Sequence, residues 1–235
     1  RSCHVTGSFE TKDNKRPEMT VADALENPRR DTNRIVLPPA SFLHEKEKVE
    51  KRMPAAVDFI RSRRINEFFG PERGKAGIIL QGGMYNSVIR ALQRIGLADV
   101  YGETDVPLYV LNAVYPLIDD EVIDFCEDKD SVLIVEEGQP NYLEQAIASM
   151  MHKKGVDTRI LGKDVLPMAG EYTGQVMLDG ISAYLRANAP ELLAAQVLAP
   201  NAPGENTLAA DLAKVVPGRP PGFCTGCPER PIFAA

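Results

Sequence analysis

The sequence predicts an α/β fold: an open, mostly parallel sheet with helices on both faces. Between residues 76 and 161, four short apolar runs alternate with segments that carry a helical pattern. Each run is hydrophobic throughout, which is typical of strands buried on both faces. Strands that alternate with helices form parallel sheets, because each helix returns the chain across the sheet. We therefore expect at least four parallel strands, near 76–81, 107–111, 131–136 and 156–161.

The segments between these strands carry the usual signals of helix ends. An apolar helical face after the first strand stops at Gly96, a residue suited to closing a helix. The acidic run 119–121 suits the start of the second helix, where the macrodipole favours negative charge. Asn141 is placed to cap the third helix. Residues 172–196 predict one or two further helices.

Two features at strand ends are candidate functional positions. Gly82–Gly83 follows the first strand and predicts a tight turn with one glycine at positive φ, since the spacing of a dinucleotide-binding loop is missing. Glu136–Glu137 ends the third strand, at the edge where α/β sheets place ligands. A carboxylate pair could perform acid–base chemistry there. No His or Lys lies nearby in sequence, so a subunit contact or loop hydrogen bonding is favoured.

The chain outside the sheet divides by composition. Residues 1–40 are rich in proline and charge, which indicates a linker after a preceding domain. Residues 41–75 read as a charged helical connector, with a helical stripe that resumes after an interruption near Pro54 and reaches Phe68. The α/β domain with its trailing helices takes 76–198, a proline-rich linker takes 199–221, and a new domain begins in 222–235. We expect a portion of a longer protein, flanked by partial domains.

Composition and charge exclude two classes of partner. Residues 1–75 carry a net charge of +4 and residues 76–235 a net charge of −10. This acidic surface argues against nucleic acid, whose phosphates require a basic face. No apolar run approaches the roughly 18–20 residues that a membrane span needs. With four cysteines in 235 residues and no signal-like stretch, we expect a cytoplasmic protein.

Cys224 and Cys227 form the one motif with evident chemistry. They lie in a Pro/Gly-rich turn, Phe223-Cys224-Thr225-Gly226-Cys227-Pro228, which directs two thiolates to one point. A metal ion or an iron–sulfur cluster suits such a pair, although either needs about four ligands. A zinc half-site, a thioredoxin-like redox pair and a plain turn remain alternatives. Cys126, at the end of an apolar helix, reads as a buried structural thiol.

Three stretches of this chain resemble the 2-oxoacid:ferredoxin oxidoreductases, most closely the indolepyruvate ferredoxin oxidoreductases. Residues 81–92 look like the first strand–turn–helix of that family's transketolase C-terminal-like domain. Residues 108–112, 115–117 and 135–140, with Glu144 and Gln145, look like its following strands and turns. Residues 223–228 look like the entry to its thiamine-diphosphate-binding domain. The resemblance covers about residues 76–165 well and the chain ends in short patches.

The resemblance implies an enzyme that oxidatively decarboxylates a 2-oxoacid, such as indolepyruvate or another aryl pyruvate. It implies thiamine diphosphate with Mg²⁺, a [4Fe–4S] cluster, coenzyme A as acyl acceptor and ferredoxin as electron acceptor. By resemblance, Cys224 and Cys227 are two cluster ligands, and the chain joins partner subunits or further domains in a homo-oligomer. The family's diphosphate-binding signature and its cofactor-activating glutamate are absent here. We therefore expect no catalytic residue in this chain and no activity from it alone. A non-catalytic α/β interaction module with a Cys-x-x-Cys zinc or redox site is the rival hypothesis.

Overall fold

The computed structural model of this protein describes residues 37–194 and, separately, Glu26. The chain divides into two units, residues 1–198 and 199–235, and every described residue belongs to the first. Cys224 and Cys227 lie outside the described residues. The proposed linkers and flanking domains at the two ends also lie outside them and stay predictions.

A five-stranded, mostly parallel sheet forms the centre of the described domain, as the apolar runs predicted. Its strands are β1 Glu67–Phe69, β2 Ala76–Gln81, β3 Leu108–Leu111, β4 Ser131–Val135 and β5 Arg159–Leu161. Their order is β1-β3-β2-β4-β5, in which only β1 is antiparallel to its neighbour. The four predicted parallel strands are thus confirmed. The last of them is shorter than expected, because its pairing with β4 begins only at Arg159.

Helices connect and cover the strands. They are α1 Ala40–Glu47, α2 Met53–Ser62, α3 Tyr85–Ile95, α4 Asp119–Cys126, α5 Tyr142–Lys154, α6 Gly174–Asn188 and α7 Pro190–Ala194. Gly96 ends α3 at a φ of 87°, as its position predicted. The two helices expected within 172–196 are α6 and α7. None of the described helices has both the length and the apolar character needed to cross a bilayer.

Alternate strand residues contribute to two separate cores. Ile78 and Leu80 of β2 face the core beneath α3 and α6, whereas Ile79 between them faces the core beneath α4 and α5. This follows from the two-residue period of a strand, which sends successive side chains to opposite faces. Cys126 is completely buried in the second core with a free thiol, so its structural assignment is confirmed.

The connections create a topological switch point at the carboxyl edge of the sheet. The helix after β2 packs on one face, while the helix after β4 packs on the other. Because β2 and β4 are neighbours, the chain leaves their carboxyl ends in opposite directions. Such a topological switch point is where open α/β sheets form a ligand crevice. It lies between residues that follow β2 and residues that follow β4.

The prediction of a helical stripe through Phe68 is wrong. The helix ends at Ser62, and Arg64 adopts a positive φ of 48° that turns the chain toward β1. Phe68 then stacks on the buried Tyr109 ring with centroids 4.4 Å apart. This aromatic contact favours an edge strand over a further helical turn.

The interruption expected near Pro54 is a π-helical turn, Lys48–Arg52, after which Pro54 occupies the first turn of α2.

The expectation of a positive φ at Gly82 or Gly83 is also wrong. Neither is among the glycines with positive φ, and Gly82–Met84 instead forms a short 3₁₀ turn leading into α3. The reason for glycine at position 82 is close packing, since a Cβ there would lie 2.5 Å from Asn112 Oδ1. The Asn112 amide is itself held in place, because its Nδ2 donates to the Ile65 carbonyl and the Glu67 carboxylate.

Candidate functional site at the carboxyl edge of the sheet

Polar residues from three strand ends meet at the switch point. Gln81 ends β2, Glu136 and Glu137 follow β4, and Lys163 follows β5. The Glu137 N–H donates to Gln81 Oε1 at 3.1 Å, which links the ends of the two diverging strands. Glu136–Glu137 therefore lies where its position in the sequence predicted, at the carboxyl edge of the sheet.

Glu136 caps helix α5 from within the domain. Its side chain is buried, and its carboxylate accepts the backbone N–H of Leu143 at 2.9 Å and that of Glu144 at 3.3 Å. Asn141 occupies the predicted cap position, but its side chain bonds to Glu144 and Gln145 instead. The first N–H groups of a helix form a ready anion site. In α5 the protein's own carboxylate fills that site.

Lys163 supplies the cation that local sequence did not reveal. Its Nζ donates to the Glu136 carbonyl and to Tyr172 Oη, both at 2.6 Å. Burial lowers the pKa of the Lys163 ammonium, while the nearby carboxylates of Glu136, Glu144 and Glu137 act in the opposite direction. The sequence did contain one signal for this cation, because the pair Gly162–Lys163 comes directly after the last strand.

Gly162 allows the Glu144 carboxylate to reach the loop after β5. Glu144 Oε2 accepts the Lys163 N–H and Asn141 Nδ2, each at 3.0 Å. A Cβ at position 162 would overlap this carboxylate. The glycine therefore permits a hydrogen bond that ties α5 to the end of β5.

Tyr172 completes the network. Its Oη donates to the Pro167 carbonyl at 2.8 Å, and its N–H donates to Glu137 Oε1 at 2.8 Å. Glu136 thus fixes a helix and Glu137 fixes the loop before α6. These hydrogen bonds agree with loop hydrogen bonding, one of the two roles that the sequence favoured for the pair.

The described residues do not supply the ligand set of a metal ion or an iron–sulfur cluster. Among them, no group of three or more His, Cys, Asp or Glu side chains could hold a metal. Cys126 is the cysteine within this range, and burial raises the pKa of its thiol to about 12. The α5 N-terminus, where a phosphate could otherwise bind, is filled by Glu136. We derive no chemical step through a cofactor in this part of the chain.

Buried phenols should make stability fall at alkaline pH. Burial raises the pKa of Tyr172 and of Tyr184 to about 12, compared with about 10 in an unfolded chain. Between these values the folded state retains protons that the unfolded state has lost. Each phenol should therefore lower the free energy of unfolding by up to about 1.4 kcal/mol per pH unit, an effect absent below about pH 10.

Urea unfolding at a series of alkaline pH values, compared with Tyr172→Phe, checks this. The variant should show a shallower loss of stability over the same pH range. An identical slope in both proteins would contradict the role assigned to Tyr172.

Comparison with known proteins assigns the domain. Residues 66–216, well over half of the chain, match the indolepyruvate oxidoreductase domain. The chain belongs to the indolepyruvate oxidoreductase family. This match includes all five strands and the complete carboxyl-edge network.

Individual relatives agree with the assignment. The chain is 27% identical to the indolepyruvate oxidoreductase subunit IorA of Methanothermobacter marburgensis, over 99% of this chain and 33% of that protein. It is 29% identical to the IorA subunit of Pyrococcus abyssi over 73% of this chain and 24% of the relative. For Thermococcus kodakarensis IorA the identity is 27%, over 88% and 30% respectively. The chain thus spans about a third or less of the length of these curated relatives.

Proposed function

We propose that this chain is the transketolase C-terminal-like domain of an indolepyruvate-type 2-oxoacid:ferredoxin oxidoreductase, with the entry to its thiamine-diphosphate-binding domain. The family match over residues 66–216 carries this proposal. The intact enzyme would decarboxylate an aryl pyruvate on thiamine diphosphate with Mg²⁺. It would pass electrons through a [4Fe–4S] cluster to ferredoxin and transfer the acyl group to coenzyme A.

Within that enzyme the domain serves assembly rather than chemistry. At its switch point, Lys163 bonds to Glu136 and Tyr172, and Glu136 bonds in turn to the start of α5. Exposed apolar residues surround this edge: Tyr115 follows β3, Tyr142 begins α5, and Met168 follows β5. These side chains suit contacts with another domain or subunit. The relatives are themselves named as subunits.

The purified 235-residue chain should show no oxidation of indolepyruvate with viologen dye, even with thiamine diphosphate, Mg²⁺ and coenzyme A. The reason is the absence of the diphosphate-binding signature and of the cofactor-activating glutamate from its sequence. The intact enzyme, purified without oxygen, is the positive control. Turnover by the 235-residue chain would refute this assignment of roles.

The assignment of Cys224 and Cys227 is tested in the intact enzyme. Cys224→Ser or Cys227→Ser should abolish the electron paramagnetic resonance signal of one reduced cluster and leave the circular dichroism spectrum unchanged. Cys126→Ser is the matched control, because that thiol is buried in the α/β core. Retention of every cluster signal, or zinc in place of iron in metal analysis, would favour the rival interaction module.

A further inference from the structure

A groove of about 650 Å³ lies between α3 and the loop 98–104, apart from the carboxyl-edge network. Its volume falls within the roughly 300–1,000 Å³ typical of small-molecule sites. Tyr85 and Ile89 of α3 line it, together with Arg90, Arg94 and the loop residue Tyr101. Aromatic surface and positive charge thus occur together in one concavity.

The loop that forms one wall is held firmly in place. Asp99 Oδ1 accepts the N–H of Tyr101 at 2.8 Å and that of Glu103 at 2.9 Å, while Gln93 Nε2 donates to the Asp99 carbonyl. Gly102 has a φ of 91°, and a Cβ there would lie 2.9 Å from Tyr85 Oη. The loop therefore packs closely on the start of α3, and its residue Tyr101 is 89% exposed.

The two arginines are available to a ligand. Arg90 and Arg94 lie one turn apart on α3, and both are exposed. Within residues 37–194 neither guanidinium forms an ion pair or a side-chain hydrogen bond. The nearby Asp99 carboxylate is engaged by its own loop, and Glu103 lines the adjoining hollow rather than this groove. A planar guanidinium matches a carboxylate with two parallel hydrogen bonds.

We propose that this groove binds a planar aromatic carboxylate. The ring would lie against Tyr85 and Tyr101, and the carboxylate would bond to Arg90 and Arg94. An aryl 2-oxoacid and an arylacetate share this chemistry. The choice of an indole acid as the probe rests on the proposed function, whereas the need for a ring and an anion follows from the groove itself.

Indole fluorescence tests the proposal directly, because the chain contains no tryptophan. Indole-3-acetate can be excited at wavelengths longer than those that tyrosine absorbs. It should bind saturably at one site with a Kd on the order of 1 mM, which is the affinity expected for so small a molecule. The double variant Arg90→Gln/Arg94→Gln should weaken binding about tenfold or more, since charge-assisted bidentate bonds are lost. Arg186→Gln, an exposed arginine on α6, should bind like the unsubstituted protein.

Two further binding measurements separate the contribution of the ligand's carboxylate charge from that of its aromatic ring. Indole-3-acetamide lacks the charge and should bind about as weakly as indole-3-acetate binds to the double variant. Tyr101→Ala should also weaken binding of the acid. Equal binding of acid and amide, or unchanged binding to the double variant, would overturn the proposal. Competition by indole-3-pyruvate then shows whether the 2-oxoacid or the arylacetate binds more tightly.

Failure of this proposal and failure of the proposed function give different results. If the intact enzyme reduces viologen with indolepyruvate but indole-3-acetate does not bind to this groove, the groove proposal alone fails. If indole-3-acetate binds and depends on both arginines while the intact enzyme shows no turnover, the proposed function alone fails.

Discussion

Replacement of Glu136 with alanine is expected to lower the free energy of unfolding by about 2–4 kcal/mol. The loss has two causes: helix α5 loses its cap, and a buried backbone N–H is left without an acceptor. The carboxylate holds the backbone N–H groups of Leu143 and Glu144 at the start of α5. Alanine supplies no acceptor in its place. Urea unfolding followed by circular dichroism measures the change.

Two comparison variants isolate the role of the Glu136 carboxylate. Glu136→Gln keeps an oxygen that can accept the same N–H groups and should cost less than Glu136→Ala. Glu127→Ala removes an exposed carboxylate just after α4 and should change stability by no more than about 0.5 kcal/mol. A similarly small effect of Glu136→Ala would show that α5 does not depend on this cap.

The second large effect concerns the buried Lys129 ammonium, which pairs with a partly exposed carboxylate at the other end of the sheet. The Lys129 side chain is completely buried, and its Nζ lies 2.6 Å from Asp128 Oδ1 and 4.4 Å from the Phe125 ring centroid. Asp128→Ala would leave this ammonium buried without its carboxylate. We expect a loss of about 3 kcal/mol, the lower end of the range for broken buried pairs, because Asp128 is 32% exposed.

Removal of the charge instead of its partner should have little effect. Lys129→Met keeps a long apolar chain against Phe125 and removes the ammonium, so we expect a change within about 1 kcal/mol. The double variant Asp128→Ala/Lys129→Met should recover most of the stability lost in Asp128→Ala. Asp130→Ala, an exposed neighbour, is the control. Equal losses in the two single variants would contradict this account of the pair.

The parallel strands were predictable because burial on both faces leaves a simple pattern. Residues 78–80 and 132–135 are hydrophobic at every position, which neither a half-exposed strand nor an amphipathic helix would show. β1 escaped prediction because it has only three residues, too few to distinguish a two-residue period from a helical one. Its identity depends on Phe68 covering Tyr109, a contact between residues far apart in the chain.

The glycine pair after β2 shows a different limit. The sequence identified a turn where glycine is needed, but the requirement at Gly82 comes from Asn112 after the neighbouring strand rather than from the turn's own dihedral angles. Steric requirements of this kind depend on which strand lies alongside. The residues next to Gly82 in the sequence do not show which strand that is.

By itself, the sequence determined the α/β class, the four parallel strands, the family resemblance and the position of Glu136–Glu137 at a strand end. Only the tertiary structure decided what that pair does, by bringing Lys163 and Tyr172 to it from beyond the next strand. The physical reason lies in the range of the interactions. Strand and helix patterns arise from burial along a few consecutive residues, whereas the partners of a strand-end carboxylate depend on the order β2-β4-β5 across the sheet.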